Sequence, residues 1–151
     1  MAYVSAQARQ ELLDAVAEAA DEIGVALSAL GDAFDHLDDQ SADRLEEQLF
    51  RPVQHAYGRA QRTHNEFAGR VSLPTRTFTP AGPPAPHGAA AALEVAVDAV
   101  AEADEKLATL QDSMRPVEVG DAELRAGLSE VRRLLGDVEQ RARAFERTRG
   151  R

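Results

Sequence analysis

Apolar residues recur in the first part of the chain at alternating steps of three and four, the spacing of one face of a helix. The series comprises Leu13, Val16, Ala20, Ile23, Leu27, Leu30, Phe34 and Leu37. A seam this regular is typical of a helix in a bundle or a coiled coil. It predicts a first helix over residues 5–37, about 50 Å long at 1.5 Å per residue.

A second seam follows the polar cluster Asp38-Asp39-Gln40-Ser41, whose residue types favour helix N-caps. This seam predicts a helix over residues 41–67 and comprises Leu45, Leu49, Val53, Ala56, Ala60, Thr63 and Phe67. Pro52 lies inside it and lacks a backbone N–H, so we expect a kink there. The short turn between the first two helices predicts an antiparallel hairpin.

The second half of the chain repeats this organisation, and its seams predict helices over residues 88–114 and 121–147. The third seam comprises Leu93, Ala96, Val100, Ala103, Leu107, Leu110 and Met114. The fourth comprises Leu124, Leu128, Val131, Leu135, Val138, Ala142 and Phe145. Pro116 and Gly120 interrupt the chain between them, and Asp121 is the expected N-cap of the fourth helix.

The periodicity stops over residues 69–87, where five of the seven prolines of the chain lie. A segment of this length in extended form reaches roughly 60 Å, which suffices to cross a bundle. Val71, Leu73 and Phe78 are the expected anchors of its first part. Its proline-rich end, Thr79 to Pro86, fits a stiff spacer, with a polyproline ligand as the alternative.

Four apolar seams can enclose one core, so the sequence predicts an all-α protein. Its expected fold is a four-helix bundle of two helical hairpins joined by a long Pro-rich loop. Residues 1–151 then form a single helical-bundle domain, which is an ordinary size for one core.

The composition excludes several classes of site. The chain has no cysteine, which removes disulfides, thiol nucleophiles and thiolate metal sites. It begins without the basic and apolar segments of a secretion signal, and no apolar run approaches the length of a membrane span. We therefore expect a cytoplasmic protein with no membrane partner.

The formal net charge of −9 argues against nucleic acid as a partner. The charge is also segregated, with about −10 over residues 1–50, +4 over 51–92, −4 over 93–115 and +1 over 116–151. Placing the two acidic helices diagonally opposite each other would bring unlike charges together at every neighbouring pair. The acidic first helix is either a solvated surface or a docking surface for a basic partner.

The sequence offers few residues that could bind a metal ion or a cofactor. Asp32 and His36 stand one helical turn apart with Asp35 nearby, so these three are the candidate ligands of a divalent cation. An exposed acidic helix end is the alternative interpretation of the same residues. The Glu-x-x-His pairs of di-iron bundles are absent at every histidine, and we expect no cofactor.

The segment Thr63-His64-Asn65-Glu66-Phe67 loosely resembles the phospho-accepting box of histidine kinases. It departs from that box because Asn65 separates His64 from Glu66 and the Arg-Thr-Pro end is missing. A phosphotransfer histidine also requires an exposed imidazole. The sequence therefore predicts no phosphotransfer role for His64.

These observations favour a non-catalytic helical interaction or scaffold protein that self-associates or binds another helical or basic protein. The first helix is longer than its expected neighbours, and its surplus apolar residues Tyr3, Leu12 and Val25 could meet a second copy. The alternative is a bundle that binds a small ligand or a metal in gaps between alanine layers formed by Ala20, Ala56, Ala60, Ala96 and Ala103. An enzyme is not expected, because the seams hold almost no ionisable residues.

Overall fold

The computed structural model describes residues 2–83 and 87–149, and over these residues the protein is helical, with no β-strand. Seven α-helices follow one another within these ranges: α1 Ala2–Phe34, α2 Asp39–Leu45, α3 Arg51–Arg70, α4 Ala89–Asp112, α5 Arg115–Glu118, α6 Ala122–Leu135 and α7 Val138–Arg149. A π-helical turn, Glu46–Phe50, joins α2 directly to α3. The prediction of an all-α protein is confirmed.

The expected distortion at Pro52 takes the form of this π-turn. The Arg51 N–H donates to the carbonyl of Glu46, five residues back, which widens the helix by one residue. Pro52 has no N–H to donate to the Gln48 carbonyl, and the Arg141 guanidinium donates to that carbonyl instead at 3.4 Å. The helix therefore stays continuous over residues 39–70, and a side chain from α7 replaces the missing backbone donor.

The apolar seam of α1 is buried from Leu13 to Leu30, as its spacing predicts. The helix stops at Phe34, whose side chain is 42% exposed, so the prediction that the seam stays buried through Phe34 is wrong. Asp38 then accepts the Ser41 N–H at 2.8 Å and begins α2. This N-cap hydrogen bond holds the pKa of the Asp38 carboxyl below its ordinary value.

The third predicted helix also ends earlier than its seam suggests. Met114 has a left-handed backbone (φ 66°) and a side chain that is 50% exposed, because α4 has ended at Asp112. Pro116 then occupies the first turn of the short α5, where its missing N–H costs nothing. Asp121 is the N-cap of α6, as predicted, and accepts the Leu124 N–H at 2.8 Å.

The most extensive helix pair is α1 with α4, followed by α3 with α6 and α1 with α3. The two acidic helices α1 and α4 are therefore neighbours, and they do not take the diagonal arrangement that would pair unlike charges. Small side chains explain this, because buried alanines on both helices, Ala20, Ala96 and Ala103 among them, permit close contact. Burying that surface outweighs surface charge pairs that each contribute well under about 1 kcal/mol.

Cross-helix contacts define the directions of the helices. Arg70 at the end of α3 pairs with Asp121 before α6 at 2.7 Å, so α3 and α6 are antiparallel. Asp104 pairs with Arg132 at 2.8 Å while Gln111 meets Ser129 at 3.4 Å, so α4 and α6 are also antiparallel.

The segment between α3 and α4 runs back along α1. Its expected anchors are confirmed, because Phe78 is buried while Val71 and Leu73 pack half-buried against the core. Farther along, an added Cβ on Gly82 would lie 3.6 Å from side-chain atoms of Val25 and Ser28. Residues 84–86 of the predicted polyproline segment lie outside the described part of the chain.

One cluster of buried apolar side chains draws on every long helix. Leu12 belongs to it with no exposed surface, so the prediction that Leu12 is part of a surplus apolar surface is wrong. Val25 is half-buried beside the loop. The side chain of Tyr3 lies outside the described residues. Over the described residues, each helix is too short or too polar to span a bilayer.

Candidate functional site

A surface groove of about 890 Å³ lies between the second half of α1 and the π-turn with the first half of α3. We call it the α1/α3 groove. Its lining comprises Leu27, Ser28, Gly31, Asp32, Phe34, Asp35, Glu46, Phe50, Gln54, Tyr57, Gly58, Gln61 and Pro80. It lies at the end of α1, beside the turn that leads into α2, and it opens to solvent.

Two aromatic side chains give the groove an apolar surface. Phe34 is 42% exposed, one of only three large hydrophobic residues exposed in the described part of the chain, and Phe50 across from it is half-buried. Gly31 belongs to the α1 wall, and a Cβ there would meet nothing within 4 Å. The space therefore has room for an apolar side chain from outside the molecule.

The groove carries negative charge only. Asp32 and Asp35 line the α1 side, Glu46 lines the π-turn side, and no Arg, Lys or His belongs to its lining among the described residues. No hydrogen bond or ion pair within the described ranges occupies these three carboxylates. Carboxylates beside aromatic faces favour a cationic group, which gains from both.

The π-turn places two of the lining residues. Glu46 and Phe50 are its first and last residues, and both contribute to the groove. In a regular α-helix, residues four apart lie on the same face. The π-turn contains one extra residue, which rotates the faces of the following part of α3 around the helix axis. Such turns occur often at functional sites, and Pro52 accounts for this one in the sequence.

Tyr57 closes one end of the groove. Its ring is 6% exposed, and its hydroxyl has no hydrogen-bond partner among the described residues. A Cβ on Gly24 would lie 3.4 Å from both the Tyr57 ring and the Pro80 Cα, so the loop and the ring both pass close to α1 at this position. Burial, helped by the nearby Asp21 carboxylate, raises the pKa of the Tyr57 hydroxyl above its ordinary value.

Beyond this end, the loop is fixed to both helices. The Asn65 amide donates to the Arg76 carbonyl at 2.8 Å and accepts the Arg76 N–H at 2.9 Å. The Arg76 guanidinium pairs with Asp21 of α1 at 2.9 Å. Phe78 meets the His64 ring edge-on at 5.4 Å, which buries both side chains.

His64 is only 3% exposed, whereas a phosphotransfer histidine requires an exposed imidazole. Its Nδ1 lies 2.7 Å from the Asn65 Oδ1, which already accepts the Arg76 N–H. Because that oxygen can only accept, the His64 Nδ1 carries the proton. The residue that interrupts the kinase-like pattern therefore orients the imidazole and holds the loop.

The candidate cation ligands do not gather into a site. Among residues 2–83 and 87–149, no three His, Asp or Glu side chains come together in a way that could hold a metal ion. Asp32 and Asp35 line the groove, whereas His36 is an exposed residue of the turn after α1. The geometry adds no support to a metal site at these residues.

The alanine layers behind the second functional interpretation are buried. Ala20, Ala56 and Ala103 have no exposed surface, and Ala96 and Ala60 are 2% and 3% exposed. These alanines are absent from the lining of the α1/α3 groove. The groove is thus a surface feature that is separate from the alanine layers.

Sequence reasoning did not identify the groove, because its residues come from two helices and a loop whose path the periodicity does not specify. Two features of the sequence could have pointed to the groove. Phe34 stands near the end of the first apolar seam, past the expected ends of the neighbouring helices, and Pro52 lies inside a helical pattern. Comparison of the chain with known protein families, with curated proteins and with solved structures found no match.

Proposed function

We propose that this chain is a non-catalytic interaction protein built on a four-helix bundle, and that the α1/α3 groove binds a basic, apolar segment of another protein. The observation that carries the proposal is the exposed Phe34 beside three carboxylates in a groove whose described lining has no positive charge. A partner segment with an apolar side chain and a cationic one matches both features.

The contacts between helices support the bundle. The four rods of the bundle are α1, the continuous helix over residues 39–70, α4, and α6 together with α7. Each rod packs against two others, so that around the bundle the first rod is followed by the second, the fourth and then the third. The established directions make the second and fourth rods antiparallel, and likewise the third and fourth. The shared apolar cluster supports a single domain over the described residues.

The interior supports a non-catalytic role. The buried polar residues among those described are Ser41, Thr63 and His64. Ser41 takes part in the α2 cap, Thr63 donates to the Arg59 carbonyl, and His64 holds the loop. Each of these three side chains therefore has a structural partner and a structural role.

The carboxylates of the groove support a basic partner over an acidic one. A carboxylate at a protein surface gains affinity and association rate from an arginine or lysine brought against it, and the gain falls as salt rises. Burying one phenylalanine-sized side chain contributes about 1.5–3 kcal/mol. The affinity of a partner segment for this groove should therefore depend mainly on one buried apolar side chain. Ion pairs with the groove carboxylates should change this affinity by a smaller amount.

Fluorescence anisotropy with a short labelled peptide of leucine, phenylalanine and arginine tests the proposal. We expect saturable binding that weakens about tenfold or more in Phe34→Ala, in line with loss of most of one aromatic contact. The double variant Asp35→Asn/Glu46→Gln should weaken binding about fivefold. The same peptide with glutamate in place of arginine should not bind.

The matched control is Asp98→Asn/Glu102→Gln, which removes two exposed charges from α4, away from the groove. It should leave the affinity within about twofold at the same salt concentration. Equal weakening by the control would contradict the proposal, because it would show a response to total charge. If Phe34→Ala converts a dimer into a monomer and leaves peptide binding unchanged, a second copy occupies the groove and the proposal is wrong.

A further inference from the structure

The α1/α3 groove continues a track that the chain already fills with its own loop. Arg76 of the loop contacts Asp21 on α1 and Asn65 on α3. Farther along, the Pro80 Cα and the Tyr57 ring both lie 3.4 Å from the position of a Cβ on Gly24. Each step along the loop thus moves towards the end of α1 and the beginning of α3. Pro80 is also part of the groove lining, so the filled and open parts of the track share a boundary.

The loop occupies the track in a non-helical conformation. From Leu73 to Gly82 it has no helix, strand or turn. Its backbone is fixed at Arg76, whose N–H and C=O both bond to one side-chain amide of α3. A segment held in this way is recognised through its backbone and through side chains spaced along an extended chain.

Two side chains of the loop show what the track accepts. The Arg76 guanidinium pairs with the Asp21 carboxylate at 2.9 Å and also lies 4.7 Å from the centre of the Phe78 ring. Phe78, two residues later, is buried against His64. In this pattern the arginine pairs with one carboxylate of α1, and the aromatic side chain two residues later fills an apolar gap between the helices.

The open part of the track offers the same combination of groups. Asp32 and Asp35 follow Asp21 along α1, and Phe34 and Phe50 provide the apolar surface. From Leu27 on α1 to Asp35, just past the end of the helix, the groove extends about 12 Å along the helix axis. An extended chain advances about 3.3 Å per residue, so about four residues fill this length.

We infer that the ligand of the α1/α3 groove is an extended segment of another protein in which an arginine precedes an aromatic residue by two positions. This inference rests on the proposed function and adds the conformation and the motif of the bound segment. The arginine binds the carboxylates of the groove, the aromatic side chain fills the space between Phe34 and Phe50, and the backbone continues the direction of the loop.

The probe is the hexapeptide acetyl-Thr-Arg-Thr-Phe-Thr-Pro-amide, which has the sequence of the loop and no helical tendency. We expect it to bind the full chain and to shift backbone amide signals of α1 and the π-turn around the groove in NMR spectra. Replacing its arginine by glutamate should weaken binding about fivefold or more, and replacing its phenylalanine by alanine about tenfold or more.

Protein variants locate the binding site of the hexapeptide. Asp35→Asn/Glu46→Gln should weaken its binding about fivefold, whereas Asp21→Asn, which alters the filled part of the track, should leave it within about twofold. The reverse pattern would show that the peptide displaces the loop, and it would overturn the inference. Circular dichroism of each variant verifies that the helices are intact.

A helix-locked form of the basic, apolar peptide separates this inference from the proposed function. If the locked helix binds in the groove and the hexapeptide does not, the proposed function stands and the extended motif is wrong. If neither peptide binds, both are wrong. Binding of the hexapeptide that requires Phe34, the groove carboxylates and both peptide side chains supports the inference.

Discussion

The side-chain amide of Asn65 pairs with the backbone of Arg76 through two hydrogen bonds, at 2.8 Å to its carbonyl and 2.9 Å from its N–H. One residue of α3 thereby satisfies both polar groups of a loop residue, as a neighbouring strand would. The same Oδ1 also faces His64, whose ring supports Phe78 of the loop. The position of the loop thus depends on a short polar side chain in a helix.

We expect Asn65→Ala to release this part of the loop without unfolding the helices. The backbone groups of Arg76 would turn to water, so the net loss is about 1 kcal/mol in the free energy of unfolding. Trypsin cleaves after arginine, and cleavage after Arg76 should become faster because the bond is no longer held against α3. Mass spectrometry of a short digestion identifies that site.

Gln140→Ala is the control for this change, since Gln140 is an exposed residue of α7. It should leave both the unfolding free energy and the cleavage rate after Arg76 unchanged. Equal cleavage rates in the native protein and Asn65→Ala would show that Asp21 and Phe78 hold the loop without the amide.

The helices were predictable because their seams are long and regular. Every seam residue from Leu45 to Phe67, and again from Leu124 to Phe145, is buried as its spacing requires. The two seam residues that face solvent, Phe34 and Met114, stand at helix ends where no neighbouring helix reaches them. Periodicity states which side of a helix is apolar but not where the neighbouring helix stops.

The periodicity of apolar residues did not predict the groove or which helices pack against each other. Segregated charge suggested that α1 and α4 lie apart, but the area buried between alanine faces decides this contact. Asn65 is unremarkable in the sequence, because its role depends on the path of a loop eleven residues farther on. Contacts of this kind arise from tertiary structure and leave no local pattern.

Gly127 of α6 lies against Thr63 of α3, and we expect Gly127→Ala to destabilise the protein. An added Cβ would lie 2.7 Å from the Thr63 Cγ2 and 3.0 Å from its Cβ. Thr63 is buried, and its hydroxyl bonds the Arg59 carbonyl at 2.7 Å, so it has little room to move. The expected loss is about 1–3 kcal/mol in urea unfolding.

Gly31→Ala provides the matched control, since a Cβ at this helical position meets nothing within 4 Å. Helix propensity alone favours alanine over glycine by about 1 kcal/mol at both positions. We therefore expect opposite signs, with Gly31→Ala stabilising and Gly127→Ala destabilising. If Gly127→Ala stabilised the protein as Gly31→Ala does, α3 and α6 would not be packed as closely as described.

Tyr57→Phe removes a buried hydroxyl that has no hydrogen-bond partner among the described residues. An unsatisfied buried polar group costs about 1–3 kcal/mol, so its removal should leave the protein equally stable or more stable by up to about 1 kcal/mol. The ring still packs against Gly24 and Pro80. A chemical denaturation series at neutral pH measures this difference.

Tyr57→Leu is the companion variant, because it removes the aromatic ring as well and should destabilise the protein by about 1 kcal/mol or more. A clear loss of stability in Tyr57→Phe would contradict the first expectation. It would show that the hydroxyl makes a hydrogen bond in solution.

Asp121 joins two roles, since its carboxylate caps α6 and pairs with Arg70 of α3. Its Oδ1 accepts the Leu124 N–H at 2.8 Å, and both of its oxygens accept from the Arg70 guanidinium at 2.7 and 2.9 Å. Asp121→Ala loses both interactions, and we expect a loss of about 1–2 kcal/mol. Asp121→Asn keeps a capping oxygen and should lose under about 1 kcal/mol at neutral pH.

The dependence of this difference on pH follows from the direction of the pKa shift. The hydrogen bond from Arg70, followed by the bond from the Leu124 N–H, holds the pKa of Asp121 below its ordinary value. The stabilisation by the carboxylate is therefore complete above the unfolded pKa of about 4, and it is lost as the pH falls through the lower folded value. Asparagine does not titrate, so the stability gap between the native protein and Asp121→Asn should narrow from pH 5 to pH 2 in urea unfolding. Because other carboxylates titrate equally in both proteins, a gap that stays constant or widens in acid would show that the pair with Arg70 does not stabilise the contact between α3 and α6.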